Sequence, residues 1–247
     1  MSDAALRRHL EQEHGRSSLS SRLRELVAGG LNGLITAFAI VAGFQGAAAL
    51  AGQQDMALPL SLVVLFGLAS LLANGLSLAL RDFLTRQTEQ RLYEKERRKE
   101  AHEVTHNPAM EREETLQLLK MRGLSDADAQ AMTDVLVRNP SLWVDFMMRY
   151  ELEMDDQSDS NPIQQARVTL VAFLGFGLVP LLPYILGVEQ QSFALAALLS
   201  SLALVGLGLL RARFAQEPPL SAIIKLLAIA GLASLTAYGV GMLFWAT

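Results

Sequence analysis

Glu100, Glu103, Glu111, Glu114, Met147, Met148 and Glu151 carry donor atoms at spacings that suit a cation. In helices, Glu100 and Glu103 share a face, as do Glu111 and Glu114, because each pair is three residues apart. Met147 and Glu151 are four apart, Met148 and Glu151 three. Pro108 stands where it separates the first two pairs into consecutive helices. Three such faces could build one or more sites of carboxylate oxygens with thioether sulfur at the edge. Carboxylates suit hard divalent cations, and sulfur tips the balance toward transition metals such as iron. The alternative is a set of solvated helix faces.

A second motif overlaps this array. His102-Glu103-Val104-Thr105-His106 is a literal H-E-x-x-H, the zinc-protease signature in which two histidines bind zinc and the glutamate is the base. It lies in a highly charged stretch just before Pro108, and Glu103 already has a place in the array. The other histidines, His9 and His14, are in the N-terminal tail. Alternatively the pair adds nitrogen ligands to the array or is simply solvated.

The elements that must position these residues are helices in and beside a membrane. The chain of 247 residues is 51% hydrophobic and 19% charged, with a mean hydropathy of +0.27. These averages hide two unlike parts: long apolar runs and one charged block, the pattern of a membrane protein with a soluble insert. A net charge of −4 gives no reason to expect nucleic acid. Without cysteine there are no disulfides, thiolate metal sites or iron–sulfur ligation.

The apolar runs predict five spans, over residues 26–50, 58–80, 168–186, 193–210 and 220–245. The first holds Asn32 and many small residues, among them Gly29, Gly30, Gly33, Ala37, Gly43 and Gly46, which let helices approach closely in lipid. The second holds Asn74, and its helical pattern runs on past Arg81 and Asp82 into a polar stalk. Pro180 and Pro183 kink the third or end it early. Trp245 suits an interface anchor. The insert, residues 85–160, reads as helices over 110–122, 126–138 and 141–152, with a stop at Gly123, a cap at Ser125 and a turn at Asn139-Pro140. A short charged helix over 4–13, a polar break over 15–21, and turns over 52–55 and 187–191 complete the plan. Those two turns carry no Lys or Arg, whereas the N-terminus, the insert and the 211–219 loop do. The expected topology has the N-terminus and insert cytosolic and the C-terminus outside.

The motifs resemble the vacuolar iron transporter family of iron and manganese exporters along nearly the whole chain. Residues 29–35, GGLNGLI, resemble its first-helix GANDG motif, and residues 74–83, NGLSLALRDF, its AGALSMA-x-GEY. Residues 177–184, GLVPLLPY, are close to GGLIPLLPY, and the run from Asn139-Pro140 through residues 143–151 resembles NPxxWLDFMMKFE. The resemblance implies an all-α polytopic protein with five transmembrane helices and a cytosolic metal-binding insert between the second and third. It also implies a homodimer in the lipid bilayer, no tightly bound cofactor, and ferrous iron or manganese as transported ions, with zinc or cobalt also able to bind. The seven insert residues fall at the family's metal-binding positions. The pathway positions are Asn32, Asn74, Leu78 and Asp82, and here the chain departs from the pattern. The family's aspartate is Asn32, its methionine is Leu78, and its membrane-edge glycine and glutamate are Arg81 and Asp82. An amide cannot titrate and Leu78 offers no ligand. Proton-coupled export from the cytosol is therefore one expectation, and a membrane-anchored metal buffer or sensor another. The short chain without targeting features suggests a bacterial inner membrane over a vacuole.

Overall fold

The computed structural model describes residues 18–50, 60–156, 161–188 and 191–246. The expected helix over 4–13, the turn over 52–55 and the side chain of Trp245 lie outside the described residues. Among the described residues every regular element is helical, and the chain divides into two compact units, residues 1–83 with 163–247 and residues 84–162. The elements are α1 (Ser18–Leu50), α2 (Leu60–His106), α3 (Pro108–Met121), α4 (Asp126–Val137), α5 (Pro140–Tyr150), α6 (Pro162–Leu178), a 3₁₀ turn (Val179–Leu181), α7 (Leu182–Ile185), α8 (Ser192–Ala215) and α9 (Pro219–Ala246). Among the described residues, five stretches are long and apolar enough to cross a membrane: Arg22–Ala49, Leu60–His106, Pro162–Ile185, Ser192–Ala215 and Pro219–Leu243.

Two spans begin before their apolar runs. α1 starts at Ser18, inside the expected polar break, because Leu19, Leu23 and Leu26 already repeat at helical spacing. α6 starts at Pro162, a residue preset for the first helical turn. The prolines act as expected: α6 gives way to the 3₁₀ turn containing Pro180, and Pro183 falls in the first turn of α7.

In the first unit α1 is the central helix. Leu34, Ala37 and Val41 are fully buried, and α1 shares cores with residues of α2, α6, α8 and α9. Glycine makes this possible. A Cβ on Gly33 would sit 2.0 Å from the carbonyl oxygen of Phe173 on α6, and one on Gly46 2.1 Å from that of Tyr238 on α9. Neither backbone can retreat without unpacking its helix.

The second unit contains the end of α2 and the three short helices α3 to α5. Its breaks are local in origin. Pro108 and Pro140 occupy first-turn positions of α3 and α5, Gly123 takes φ +95°, and the Ser125 hydroxyl caps α4 by accepting from the Asp128 amide at 3.2 Å. Trp143, Met147, Met148, Leu119, Leu136 and Val104 form the core. Ion pairs tie the helices together, Arg97 to Asp145 at 2.7 Å and Arg112 to Asp134 at 2.6 Å. Both are exposed and contribute little individually.

Gly33→Ala should therefore destabilise the detergent-solubilised protein by about 1–3 kcal/mol, the usual cost of overpacking. Gly239→Ala should be neutral, because a Cβ there meets nothing within 4 Å. Thermal unfolding followed by size-exclusion chromatography measures both; equal melting temperatures for the two variants would contradict this packing.

Candidate metal site

Glu100 comes from α2, Glu111 from the first turn of α3 and Glu151 from the C-cap of α5. Each offers a carboxylate oxygen, and these three oxygens lie within 4.8 Å of one another. Glu100 and Glu111 are only 2% and 4% exposed; Glu151 is open to solvent. The Oε2 atoms of Glu100 and Glu111 are buried with no hydrogen-bond partner. A buried, unpaired carboxylate oxygen is costly unless a proton or a cation answers it.

The electrostatics follow from this crowding. Burial first, then the charges of Glu151, Glu111 and Glu103, pushes the Glu100 carboxyl up to about 7, against the pull of Lys99. Glu111 is likewise pushed up to about 7 by burial, then by Glu114, Glu151 and Glu103. Burial and the charges of Glu114 and Glu103 also raise Glu151. Glu103 and Glu114 thus form an outer acidic ring. Glu103 is held at 3.7 Å by Lys99, which keeps a cation at the edge of the cluster.

Met147 and Met148 are 0% and 1% exposed and belong to the hydrophobic core. The Met147 sulfur lies 3.3 Å from the Thr115 hydroxyl. That hydroxyl accepts from the Trp143 indole N–H at 2.8 Å and reaches the Glu111 carbonyl at 2.7 Å. Its single proton goes to the closer carbonyl oxygen, which fixes the first turn of α3 and with it Glu111. The sequence reading missed Thr115 and Trp143 as supports of the site. The only signal was the tryptophan in the Asn139-Pro140 motif, and nothing local links it to Thr115. At the other end Arg122 donates to the Tyr150 carbonyl at 3.0 Å and lies over its ring, fixing the chain beside Glu151.

His102 and His106 stand outside the carboxylate group. Their exposed rings stack on each other, with centroids 3.9 Å apart.

The membrane positions are arranged differently from an interior polar bundle. Asn32 and Asn74 are exposed, so they do not hydrogen-bond between buried helix faces of the chain. Leu78 is half-buried among apolar neighbours. Asp82 is half-buried, 4.0 Å from Arg81. One further carboxylate escaped the sequence reading: Glu25, 7% exposed near the start of α1, accepts from the Thr169 hydroxyl on α6 at 3.4 Å.

The model of the VIT family matches residues 23–242, a range that takes in the five spans and the acidic insert. The chain belongs to the VIT family. It is 32% identical to vacuolar iron transporter 1 of rice over 218 residues, covering 88% of this chain and 83% of the relative. It is 30% identical to vacuolar iron transporter 1 of Tulipa gesneriana over 233 residues, 93% and 91% of the two chains. The vacuolar iron transporter of Toxoplasma gondii is 32% identical over 242 residues, 94% and 77%.

The raised carboxyls set a pH dependence. Above pH ~4.5 the unfolded chain has released protons that folded Glu100 and Glu111 retain up to about 7. The folded state then binds more protons, so metal-free stability is greatest at low pH and declines between about 4.5 and 7. Melting curves of this VIT-family protein in chelator should show that decline in the insert's transition, and Glu100→Gln with Glu111→Gln should flatten it. A slope unchanged in the double variant would show that other groups set it.

Proposed function

We propose that this VIT-family protein is a membrane transporter that moves ferrous iron or manganese out of the cytosol, with the carboxylate cluster as its ion-capture site. The observation that carries the reading is the pair of buried, unpartnered oxygens on Glu100 and Glu111, within reach of Glu151. Oxygen donors of this type favour hard and borderline divalent ions, and zinc and cobalt would compete for the same site. Glu103 and Glu114 raise the local cation concentration around it. Met147 and Met148, buried in the insert's core, are the sulfur donors proposed beside these oxygens. The N-terminus and the insert face the cytosol, and a bacterial inner membrane suits the chain.

Two exposed amides on apolar spans also support a homodimer. Asn32 and Asn74 in contact with lipid would each be costly. A second copy that covers them would provide polar partners and a path for the ion.

The capture reading is checked by isothermal titration of the full chain with Mn2+ at pH 7.5. Glu100→Gln, Glu111→Gln and Glu151→Gln together should weaken binding at least tenfold and leave the membrane helices folded. Full binding in the triple variant would place the site elsewhere.

Transport itself is measured as Fe2+ or Mn2+ uptake into proteoliposomes, with and without a pH gradient. Asn32 and Leu78 supply neither a titratable group nor a donor sulfur, so the expected flux is slow and weakly gradient-dependent. Asn32→Asp with Leu78→Met should raise proton-driven flux. Strong gradient-driven flux in the wild type, with no gain in the variant, would reject this pathway. Binding with no flux at all would favour the buffer or sensor reading.

A further inference from the structure

The transport reading leaves His102 and His106 without a role. They are one helical turn apart on α2, at the i,i+4 spacing that lets two imidazoles hold one ion. Both are exposed, and their rings lie 12° from parallel with centroids 3.9 Å apart. The His106 Nδ1 is 2.9 Å from the His102 carbonyl oxygen. A carbonyl only accepts, so Nδ1 carries the proton and Nε2 is left as the lone-pair nitrogen. Fixing one ring nitrogen by a backbone carbonyl is how metal-ligating histidines are commonly oriented.

We propose that His102 and His106 form a second metal site, a two-histidine clamp for a borderline divalent ion such as Cu2+, Ni2+ or Zn2+. Metal–nitrogen bonds of about 2.0–2.1 Å in tetrahedral geometry hold two nitrogens about 3.3 Å apart. The stacked rings set their in-plane lone pairs side by side, and rotation of the two exposed side chains about χ1 and χ2 would bring the Nε2 atoms to that separation. Two protein ligands leave the remaining positions to water. Glu103, the base of the protease signature, is held by Lys99 at 3.7 Å. The two imidazoles are the protein donors proposed, and imidazole favours copper, nickel and zinc over manganese in the divalent affinity order. The clamp and the carboxylate cluster would sort ions by chemistry, borderline ions on nitrogen and harder ions on oxygen.

The test uses the full chain in detergent with one equivalent of Cu2+. Electron spin echo modulation reports the remote nitrogen of a coordinated imidazole and separates one ring from two. The wild type should show two imidazoles, as should Glu100→Gln/Glu111→Gln and His9→Gln/His14→Gln. His102→Gln/His106→Gln should lose the modulation and bind Cu2+ at least tenfold more weakly. Modulation that survives in His102→Gln/His106→Gln, or that disappears in His9→Gln/His14→Gln, overturns the proposal. So does a copper affinity that changes less than tenfold. The tail variant decides the question even if the helix variant does not fold.

Discussion

Three carboxylates crowded into one place are the constraint on which the insert depends. Two unit charges 4.8 Å apart repel by about 3.5 kcal/mol at an effective dielectric constant of ~20. Three ionised groups make three such pairs, roughly 10 kcal/mol, the scale of a whole domain's stability. Solvent screens the share that involves Glu151. Glu100 and Glu111 have no such relief, because both are buried and their Oε2 atoms are unpaired. Either a proton stays on the cluster or a cation enters it. The raised carboxyl of Glu100 is the proton answer, and a divalent ion held there would replace the proton with two positive charges.

Such repulsion would open the insert if its helices were not held from behind. The core does this. Trp143 is 1% exposed and its indole N–H is committed to Thr115, whose hydroxyl is committed to the Glu111 carbonyl. The chain of bonds runs from α5 to α3 directly beneath the acidic face. Removing Thr115 would orphan a buried indole N–H as well as release the first turn of α3. Met147 and Met148 contribute here as adaptable filling, and their thioethers suit an irregular space between short helices.

Much of the architecture was legible because its causes are local. Five apolar runs, Pro108, Gly123, Ser125 and Asn139-Pro140 mark the helices and their ends with little help from tertiary structure. Helix starts were less legible at α1 and α6, since hydropathy marks the lipid-facing length of a helix and not its first hydrogen bond. Three of the candidate residues, Glu100, Glu111 and Glu151, converge in the fold, and their spacing did not single them out. Spacing pairs Glu100 with Glu103 and Glu111 with Glu114, yet the atoms that converge are Glu100, Glu111 and Glu151, one from each of three helices. That choice is made by the packing of α2, α3 and α5 and has no sequence period. Glu25 was invisible for a related reason: it lies just before the first apolar run, and only contact with α6 shows that it is buried.

The distribution of titratable groups bears on how pH would act on transport. In the membrane, Asn32 and Leu78 cannot bind or release a proton. In the insert, Glu100 and Glu111 titrate near 7. A divalent ion that displaces those protons binds more tightly as pH rises, with no proton crossing the membrane. The pH on the insert's side would then govern loading, while a gradient would drive transit only if a carboxylate lies on the path. Uptake that follows the pH of the insert's compartment, and is indifferent to the pH across the bilayer, is loading control. Uptake that follows the difference between the two compartments is exchange. These two behaviours look alike when only one side is varied, and they separate when the pH of each compartment is varied in turn, with Glu25 and Asp82 as the carboxylates of the membrane unit that exchange would have to use.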